Sequence, residues 1–162
     1  MGRHATATSA IIVTTTPKQA FEISAPLDPT RFYGKFGPLP AVVGVSAQSG
    51  DWDTAGRTRK LELSDGGSVI ETITDVVSPT LFAYDLSEFT GAFRLLVAGA
   101  RAEWTFERTA VGTLVTWTYT FHGRPGRAWA VHAIVRMWWA RYMDRVLPMI
   151  GREIERTSFV TS

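Results

Sequence analysis

The sequence predicts a single α+β domain in which a seven-stranded antiparallel sheet is covered on one side by a long C-terminal helix. The chain has 162 residues, the length of one domain. In residues 100–107 and 113–121, apolar and polar side chains alternate, as in antiparallel strands with one buried and one solvated face. Residues 126–156 instead carry apolar side chains at helical spacing, which predicts a helix long enough to cross a small domain.

A first strand and two short helices are predicted near the start of the chain. Residues 9–15 are rich in β-branched side chains, which favour a strand. The sequence TPKQ at residues 16–19 is a capping box with proline in the first helical position, and it predicts a helix to about Ser24. Asp28-Pro29 repeats this start signal for a second short helix.

Six further strands are predicted from stretches rich in β-branched and aromatic residues, each bounded by turn residues. They are residues 41–47, 54–63, 68–76, 81–88, 100–108 and 113–121. The chain contains no internal repeat, linker or low-complexity tract, so residues 1–162 form one domain. Residues 1–7, ahead of the first strand, are predicted to be a flexible N-terminal tail.

The stretch VHAIVRMWWARYMDRVLPMI, residues 131–150, is apolar but carries arginines at intervals. A membrane span needs about 20 mostly apolar residues with few charges, so these arginines exclude a transmembrane segment. On a helical wheel the apolar side chains form one stripe. The stripe consists of Ala128, Val131, Val135, Trp138, Trp139, Tyr142, Val146, Met149 and Ile150. Its three largest rings either fill the core or form one wall of a ligand cavity.

The other faces of this helix suggest further features. The side opposite the stripe carries Arg141, Asp144, Arg145 and Arg152. Ile134 and Met137 lie off the stripe and suggest a secondary contact such as an oligomer interface. The protein is accordingly expected to be a monomer or a homodimer. Pro148 is expected to kink the helix or loosen its last turns.

Composition excludes several classes of chemistry. Because the chain has no cysteine, it has no disulfide, no thiolate nucleophile and no Cys-ligated metal. The same absence fits a reducing compartment, and we expect a cytoplasmic protein. His4, His122 and His132 have spacings that match no metal-ligand motif, so no metal is predicted. The net charge is only +2, and the helix arginines are interspersed with acidic residues, so no nucleic-acid binding is predicted.

The hairpin around residues 64–67 (SDGG) decides which polar side chains face the interior. If its loop has two residues, Arg59 and Thr72 lie on the inner face, and Lys60 pairs with Glu71 on the outer face. A shift of one residue in one strand would turn Glu71 inward instead. We expect the first register, in which Arg59 could hold a ligand carboxylate or enolate oxygen.

Further candidates are aromatic. Tyr84 and Tyr119 lie on predicted strands and could donate hydroxyl hydrogen bonds to a ligand, or could be satisfied core tyrosines. Residues 93–96 (FRLL) lie in a loop that, with Phe32 and Phe36, is expected to gate the mouth of a cavity.

Several short sequences stand out within this order of elements: 17–22 (PKQAFE), 66–73 (GGSVIETI), 78–84 (SPTLFAY), 102–106 (AEWTF) and 112–117 (GTLVTW). Together with the order of the elements, they resemble the START-like, or SRPBCC, superfamily, and within it the bacterial polyketide cyclase/dehydrase-like branch. The similarity extends from about Thr8 to Glu155, nearly the whole chain.

The resemblance implies a helix-grip fold, in which a curved sheet wraps the C-terminal helix around an elongated cavity. It also implies a lipid-like, aromatic or polyketide-like hydrophobic ligand and no cofactor. The residues expected to line the ligand site are Arg59, Thr72, Tyr84, Trp104, Trp117, Tyr119, Val135, Trp138, Trp139 and Tyr142. A cofactor-independent polyketide aromatase/cyclase that uses pocket tyrosine and arginine side chains is the alternative, and a module that regulates a protein partner is a third possibility. No catalytic residue is assigned from the sequence.

Overall fold

The computed structural model describes residues 2–161, and in this range seven antiparallel strands form one sheet. The strands are β1 His4–Val13, β2 Val42–Ser46, β3 Thr58–Leu63, β4 Ser68–Val77, β5 Leu81–Ser87, β6 Val97–Thr109 and β7 Gly112–Gly123. Their order across the sheet is β1-β7-β6-β5-β4-β3-β2. The first strand therefore pairs with the last, and the intervening strands form a meander.

Strand β1 begins earlier than predicted. It runs from His4, and its backbone pairs with β7 along its whole length, from His4 opposite His122 to Val13 opposite Thr113. Ala5 and Ala7 are buried on the inner face of the sheet. The prediction that residues 1–7 form a flexible tail is therefore wrong for residues 4–7. Small alternating side chains gave no hydrophobic signal, but the pairing with β7 orders them.

Two short helical segments follow β1, as predicted. Helix α1, Pro17–Ser24, begins with the expected capping box, in which the Thr16 side chain accepts a hydrogen bond from the Gln19 amide. Phe21 on its buried face contacts the rings of Phe82 and Phe106. The second segment is a 3-10 turn at Pro29–Arg31, and a further 3-10 turn lies at Ala92–Leu95. Helix α1 lies near Phe106 and the 92–95 turn directly precedes Val97, so the two lie toward opposite ends of β6.

The C-terminal helix has three consecutive parts: helix α2 Ala128–Ile134, a π-helical turn Val135–Trp139 and helix α3 Ala140–Thr161. In the π-helical turn the Ala140 amide donates to the carbonyl of Val135, five residues earlier. Such turns insert one extra residue into a helix and often occur at functional sites. The helix continues through Pro148, which lacks the N–H for one backbone hydrogen bond, whereas the hydrogen-bond register changes at 135–139.

The predicted stripe does face the sheet, with adjustments that the π-helical turn explains. Val131, Val135, Tyr142, Val146 and Ile150 are buried, whereas Trp138, Trp139 and Met149 are half-buried. Met143 and Leu147, absent from the predicted stripe, are fully buried. The single π-helical turn contains one extra residue, which rotates the helix that follows it. A helical wheel drawn with a constant angle per residue therefore misplaces the residues after this turn.

The alternation predicted for the central strands is confirmed. Within the predicted stretches 100–108 and 113–121, the buried residues are Ala100, Ala102, Trp104 and Phe106 on β6 and Thr113, Val115, Trp117, Tyr119 and Phe121 on β7. The outer face carries a charged network, in which Arg101 contacts Asp75 at 2.8 Å and Glu103 at 2.9 Å. Within residues 2–161 no helix is long and apolar enough to cross a membrane.

The register of the β3–β4 hairpin differs from the expected one. Arg59 pairs with Glu71, and Leu61 pairs with Val69. The Leu63 amide donates to the Gly67 carbonyl, so the loop has three residues, 64–66, rather than two. Gly66, with φ of 86°, supplies the left-handed residue that this longer loop requires. The extra loop residue shifts the pairing by one, which turns Glu71 inward and Thr72 outward.

Two glycines at hairpin turns provide a test of the backbone geometry. At Gly112 (φ 154°) an added Cβ would lie 2.1 Å from the backbone oxygen of Val13, whereas at Gly66 it would meet open space. Gly112→Ala should therefore lower the free energy of unfolding by roughly 3 kcal/mol or more, through strain and steric overlap. Gly66→Ala, the matched control, should cost only about 1 kcal/mol. Urea denaturation measures both; equal losses would contradict the close approach of Gly112 to β1.

Candidate functional site

A cavity lies between the inner face of the sheet, the C-terminal helix and the segment that joins α1 to β2. Its volume is about 130 Å³, roughly ten times the minimum that holds one water molecule. The walls are mainly aromatic and aliphatic. Six of the predicted ligand-site residues line it: Arg59, Tyr84, Trp104, Tyr119, Trp139 and Tyr142.

Four predicted ligand-site residues lie elsewhere. Thr72 faces outward because of the register described above, opposite Asp85. Trp117 is fully buried beside Trp104 on the inner face of the sheet and stacks on it at 4.9 Å between ring centroids, so it contacts the cavity wall without lining the cavity. Val135 lines a separate apolar cavity of about 10 Å³. Trp138 packs against the loop before β2, where it contacts the ring of Phe36.

The polar end of the cavity is an ion pair. The Arg59 Nε donates to Glu71 Oε1 at 2.7 Å, and their side chains are only 8% and 5% exposed. The face of the Trp52 indole covers the guanidinium, with 4.0 Å from the Arg59 Cζ to the ring centroid. This is a cation–π contact, which gains strength in a desolvated site. All three residues line the cavity.

Burial of this ion pair disfavours the ionised form of Glu71. Burial raises the pKa of the Glu71 carboxyl above its usual range, and the attraction and hydrogen bond of Arg59 offset that effect only in part. A buried carboxylate whose pKa is raised lowers the stability of the fold whenever it is ionised. A charged pair that does not stabilise its surroundings is more typical of functional sites than of structural cores.

Tyrosine hydroxyls surround the same region. Tyr33, Tyr84 and Tyr119 line the cavity, and burial is the main cause that raises the pKa of each phenol above its usual range. Each is therefore a neutral O–H group at physiological pH, able to donate or accept a hydrogen bond. Tyr142 is already engaged, since its hydroxyl donates to the Gly34 carbonyl at 2.8 Å.

Trp139 presents an unpaired donor. Its Nε1 is buried and has no hydrogen-bond partner among the described residues, although the residue lines the cavity. Its ring is held by Tyr119 at 4.7 Å and by Phe121 at 5.2 Å between centroids. Buried polar groups are nearly always hydrogen-bonded, so an N–H that faces a cavity without a partner requires an explanation. An acceptor on a bound molecule would supply one.

The residues predicted to gate the mouth of the cavity lie in different places. Phe32 and Phe93 line the cavity. Phe36 instead packs on the C-terminal helix, with its ring 5.7 Å from that of Tyr142. Leu96 lines the smaller cavity next to the main one.

Sequence reasoning missed several residues of the cavity lining, among them Glu71, Trp52 and Tyr33. Glu71 was assigned to the outer face because the hairpin loop was taken to be one residue shorter. Trp52 lies in the irregular segment between β2 and β3, and Tyr33 lies in the segment after the second short helix. Neither position has a periodic pattern from which a direction could be inferred. The glycine pair in SDGG was the available signal for a longer, bulged loop.

The three histidines form contacts near the β1 edge of the sheet. His4 and His122 are paired across β1 and β7, and their Nδ1 atoms lie within hydrogen-bonding distance. The His132 Nε2 contacts the carbonyl oxygen of Gly2 at 2.8 Å. Among residues 2–161 no group of three His, Asp or Glu side chains is placed to hold a metal ion.

Comparisons with known proteins agree with this architecture. Residues 4–155 match a family model described as polyketide cyclase/dehydrase and lipid transport. The structure of Ara h 8.0201 superposes with a TM-score of 0.61 at 18% identity, over 97% of this chain and 99% of that one. Norcoclaurine synthase from Thalictrum flavum gives 0.65 at 12% identity, over 96% and 87%. At these identities the likeness shows a shared fold, and the predicted helix-grip architecture is confirmed.

A third solved structure matches only in part. DynU16, a putative protein in the dynemicin biosynthetic locus, gives a TM-score of 0.62 at 17% identity, over 93% of this chain and 47% of that one. The present chain thus corresponds to about half of that protein. No match was found among curated proteins.

The ion pair can be tested through the pH dependence of stability. In Arg59→Met the attraction that lowers the pKa of Glu71 is lost, so this carboxyl binds its proton more tightly in the folded than in the unfolded state. Stability then falls as pH rises from the unfolded pKa, near 4.3, through the raised folded value. The variant should lose about 3 kcal/mol relative to wild type at pH 8 and clearly less at pH 5. Chemical denaturation at both pH values measures this.

The matched variant is Glu71→Gln, which removes the costly charge but keeps an oxygen for the Arg59 hydrogen bond. We expect it to lose about 3 kcal/mol at both pH 5 and pH 8, because the Arg59 guanidinium is left buried without its anion and no carboxyl of the pair remains to titrate. A loss in Arg59→Met that is equal at pH 5 and pH 8 would contradict the account of Glu71 as the destabilising partner.

Proposed function

Since the chain belongs to the polyketide cyclase/dehydrase and lipid transport family, as the resemblance to the START-like superfamily predicted, we propose that it binds an aromatic, oxygen-bearing small molecule in the cavity between sheet and C-terminal helix. The observation that carries this proposal is the Trp139 N–H, which has no hydrogen-bond partner within residues 2–161 and lies at the wall of a mainly aromatic and aliphatic cavity. A lipid chain would fill the apolar volume but would leave this donor unsatisfied. A ring system with a carbonyl or hydroxyl oxygen fills the volume and pairs with the donor.

The aromatic lining supports the shape of this ligand. Trp104 and Trp139 approach the cavity from opposite layers, one on the sheet and one on the helix. Flat rings favour offset or edge-to-face contacts with other rings, which add to the energy of apolar burial. The π-helical turn places Trp139 among Tyr119, Phe121 and Tyr142, so its position is fixed by packing before a ligand arrives.

Trp139→Phe tests the proposed hydrogen bond. Wild type should bind 2-acetylnaphthalene more tightly than 2-ethylnaphthalene, its counterpart without the carbonyl oxygen, as measured by isothermal titration calorimetry. The variant should lose this preference, by roughly 1 kcal/mol or about fivefold in Kd, because only the ketone uses the indole N–H.

The control is Trp129→Phe, since Trp129 is 66% exposed and lies outside the cavity; it should retain the wild-type preference. A wild-type protein that binds neither compound, or a Trp139→Phe protein that keeps the full preference for the ketone, would contradict the proposal.

A second candidate function, a cofactor-independent aromatase/cyclase, is favoured by the placement of Glu71 and Arg59 with the tyrosine hydroxyls. In an aldol cyclisation, Glu71 would take a proton from the methylene carbon between two carbonyls, and the electron pair would move to the enolate oxygen beside Arg59. The enolate carbon then bonds to a second carbonyl carbon, whose oxygen takes a proton from Tyr84. Proton transfer to Glu71 moves the negative charge to the substrate, and the second transfer moves it to the Tyr84 phenolate. The proton on Glu71 then returns to this phenolate, which restores both groups and leaves the net charge of the site unchanged.

Turnover of candidate poly-β-ketones separates the two functions. If the protein is a cyclase, Glu71→Gln and Tyr84→Phe should each lower kcat by about a hundredfold or more, since each removes a proton-transfer group. Arg59→Ala should lower it as well, and Tyr119→Phe tests the other predicted donor. Tyr142→Phe is the comparison variant, because its hydroxyl is already bonded to Gly34. Turnover that survives in all the variants would contradict the catalytic roles, and a wild type without turnover leaves binding as the function.

A further inference from the structure

The charge of the cavity wall has a consequence for the kind of ligand that enters. Among the described residues that line the cavity, Arg59 and Glu71 are the charged ones. Their charges cancel at a separation of 2.7 Å, and both side chains are almost completely removed from solvent. The exposed Asp28 lies near enough to Arg59 to interact with it electrostatically, and it adds negative rather than positive character. The wall thus offers no uncompensated positive charge.

An arginine in this state differs from one that is free to bind an anion. A ligand carboxylate placed against Arg59 would also approach the Glu71 carboxylate, in a region of low dielectric where like charges repel strongly. The carboxylate would lose its hydration and would gain a partner already neutralised by another anion. An arginine that is not already paired with a carboxylate would form charge-assisted hydrogen bonds with the ligand and would so compensate for the lost hydration.

An uncharged oxygen group on a ligand avoids this repulsion and can form hydrogen bonds with the groups around the ion pair. The hydrogen bond to Glu71 uses Nε, and no other hydrogen bond of Arg59 occurs among residues 2–161, so its Nη hydrogens remain as donors. Glu71 contributes a second carboxylate oxygen as an acceptor, and Tyr84 and Tyr33 contribute hydroxyl groups that do both. A phenol can donate to the carboxylate and accept from the guanidinium at once. A ketone or amide oxygen can accept a hydrogen bond from Arg59, and because it is uncharged, the Glu71 carboxylate does not repel it as it would an anion.

We propose that the paired Arg59 and Glu71 make this cavity selective for uncharged aromatic ligands that carry hydroxyl, ketone or amide oxygens, and that they exclude the corresponding carboxylates. The proposal rests on the proposed binding function and specifies its ligand class. It replaces the expectation, drawn from an arginine considered alone, that Arg59 holds a carboxylate. Aromatic acids and fatty acids are excluded by the same repulsion.

The experiment compares three naphthalenes that differ in one group: 2-naphthol, 2-naphthamide and 2-naphthoate. Kd is measured by calorimetry at pH 7.5, where the first two are neutral and the third is an anion. The amide and the carboxylate have nearly the same shape, so their ratio reports charge rather than size. We expect the amide and the phenol to bind at least tenfold more tightly than the carboxylate. Naphthoate that binds as tightly as naphthamide would overturn the proposal and would leave the binding function intact.

Glu71→Gln provides the internal test. With the anion removed, Arg59 becomes an uncompensated cation, so naphthoate should gain at least tenfold in affinity while naphthamide changes by less than threefold. Asp75→Asn is the control, because it also removes a carboxylate that pairs with an arginine, Arg101, but on the outer face of the sheet. It should keep the wild-type order. A Glu71→Gln protein that is folded by circular dichroism and still rejects naphthoate would overturn the assignment to Glu71.

If Glu71→Gln does not fold, the wild-type comparison still decides the proposal, supported by a pH series. As the pH is lowered toward protonation of naphthoic acid, its affinity should approach that of naphthamide. A Kd ratio that does not change with pH would contradict selection by charge. If none of the three compounds binds wild type at any pH, the binding function fails together with its specificity.

Discussion

A single helix cannot cover a sheet of seven strands, and the form of the interior follows from this mismatch. Strands lie about 4.8 Å apart, so seven of them are roughly 29 Å wide, whereas a helix with its side chains is about 10–12 Å across. Helix α3 packs on β1 and on α1. The inner face toward β2 to β5 must be covered by the α1–β2 segment and by large side chains. Aromatic rings bridge part of the distance and leave a cavity where they do not meet.

The ion pair in that cavity is costly to the fold. Burial raises the pKa of Glu71 despite a guanidinium at 2.7 Å, so the pair does not compensate for its own desolvation. An apolar pair of similar volume would often serve stability equally well or better. Two features show that the surroundings are built to hold the pair: the indole of Trp52 covers one face of the guanidinium, and the hairpin register sets Arg59 directly opposite Glu71. Its presence is best understood through what it offers to a ligand.

The π-helical turn interrupts the regular hydrogen bonding of the C-terminal helix, and it affects the wall of the cavity. Its extra residue changes the direction in which Trp139 and the following side chains point. Trp139 reaches the cavity with an unpaired N–H, while Trp138 packs against the loop that carries Phe36. The π-helical turn therefore contains both a tryptophan that lines the cavity and a tryptophan that packs on the covering loop.

The sequence by itself determined the elements and their faces. Alternation in β6 and β7, the capping box of α1 and the amphipathic C-terminal helix are local patterns, and local backbone geometry converts them directly into buried and exposed faces. Six of ten expected ligand-site residues line the cavity for this reason. Only the tertiary structure decided the remainder. The additional loop residue turned Glu71 rather than Thr72 toward the interior. The inserted helical residue brought Met143 and Leu147 into the core, and pairing with β7 ordered the start of β1. Each is a shift of one residue or a contact between distant segments, to which a periodic pattern is insensitive because it fixes spacing within an element but not register between elements.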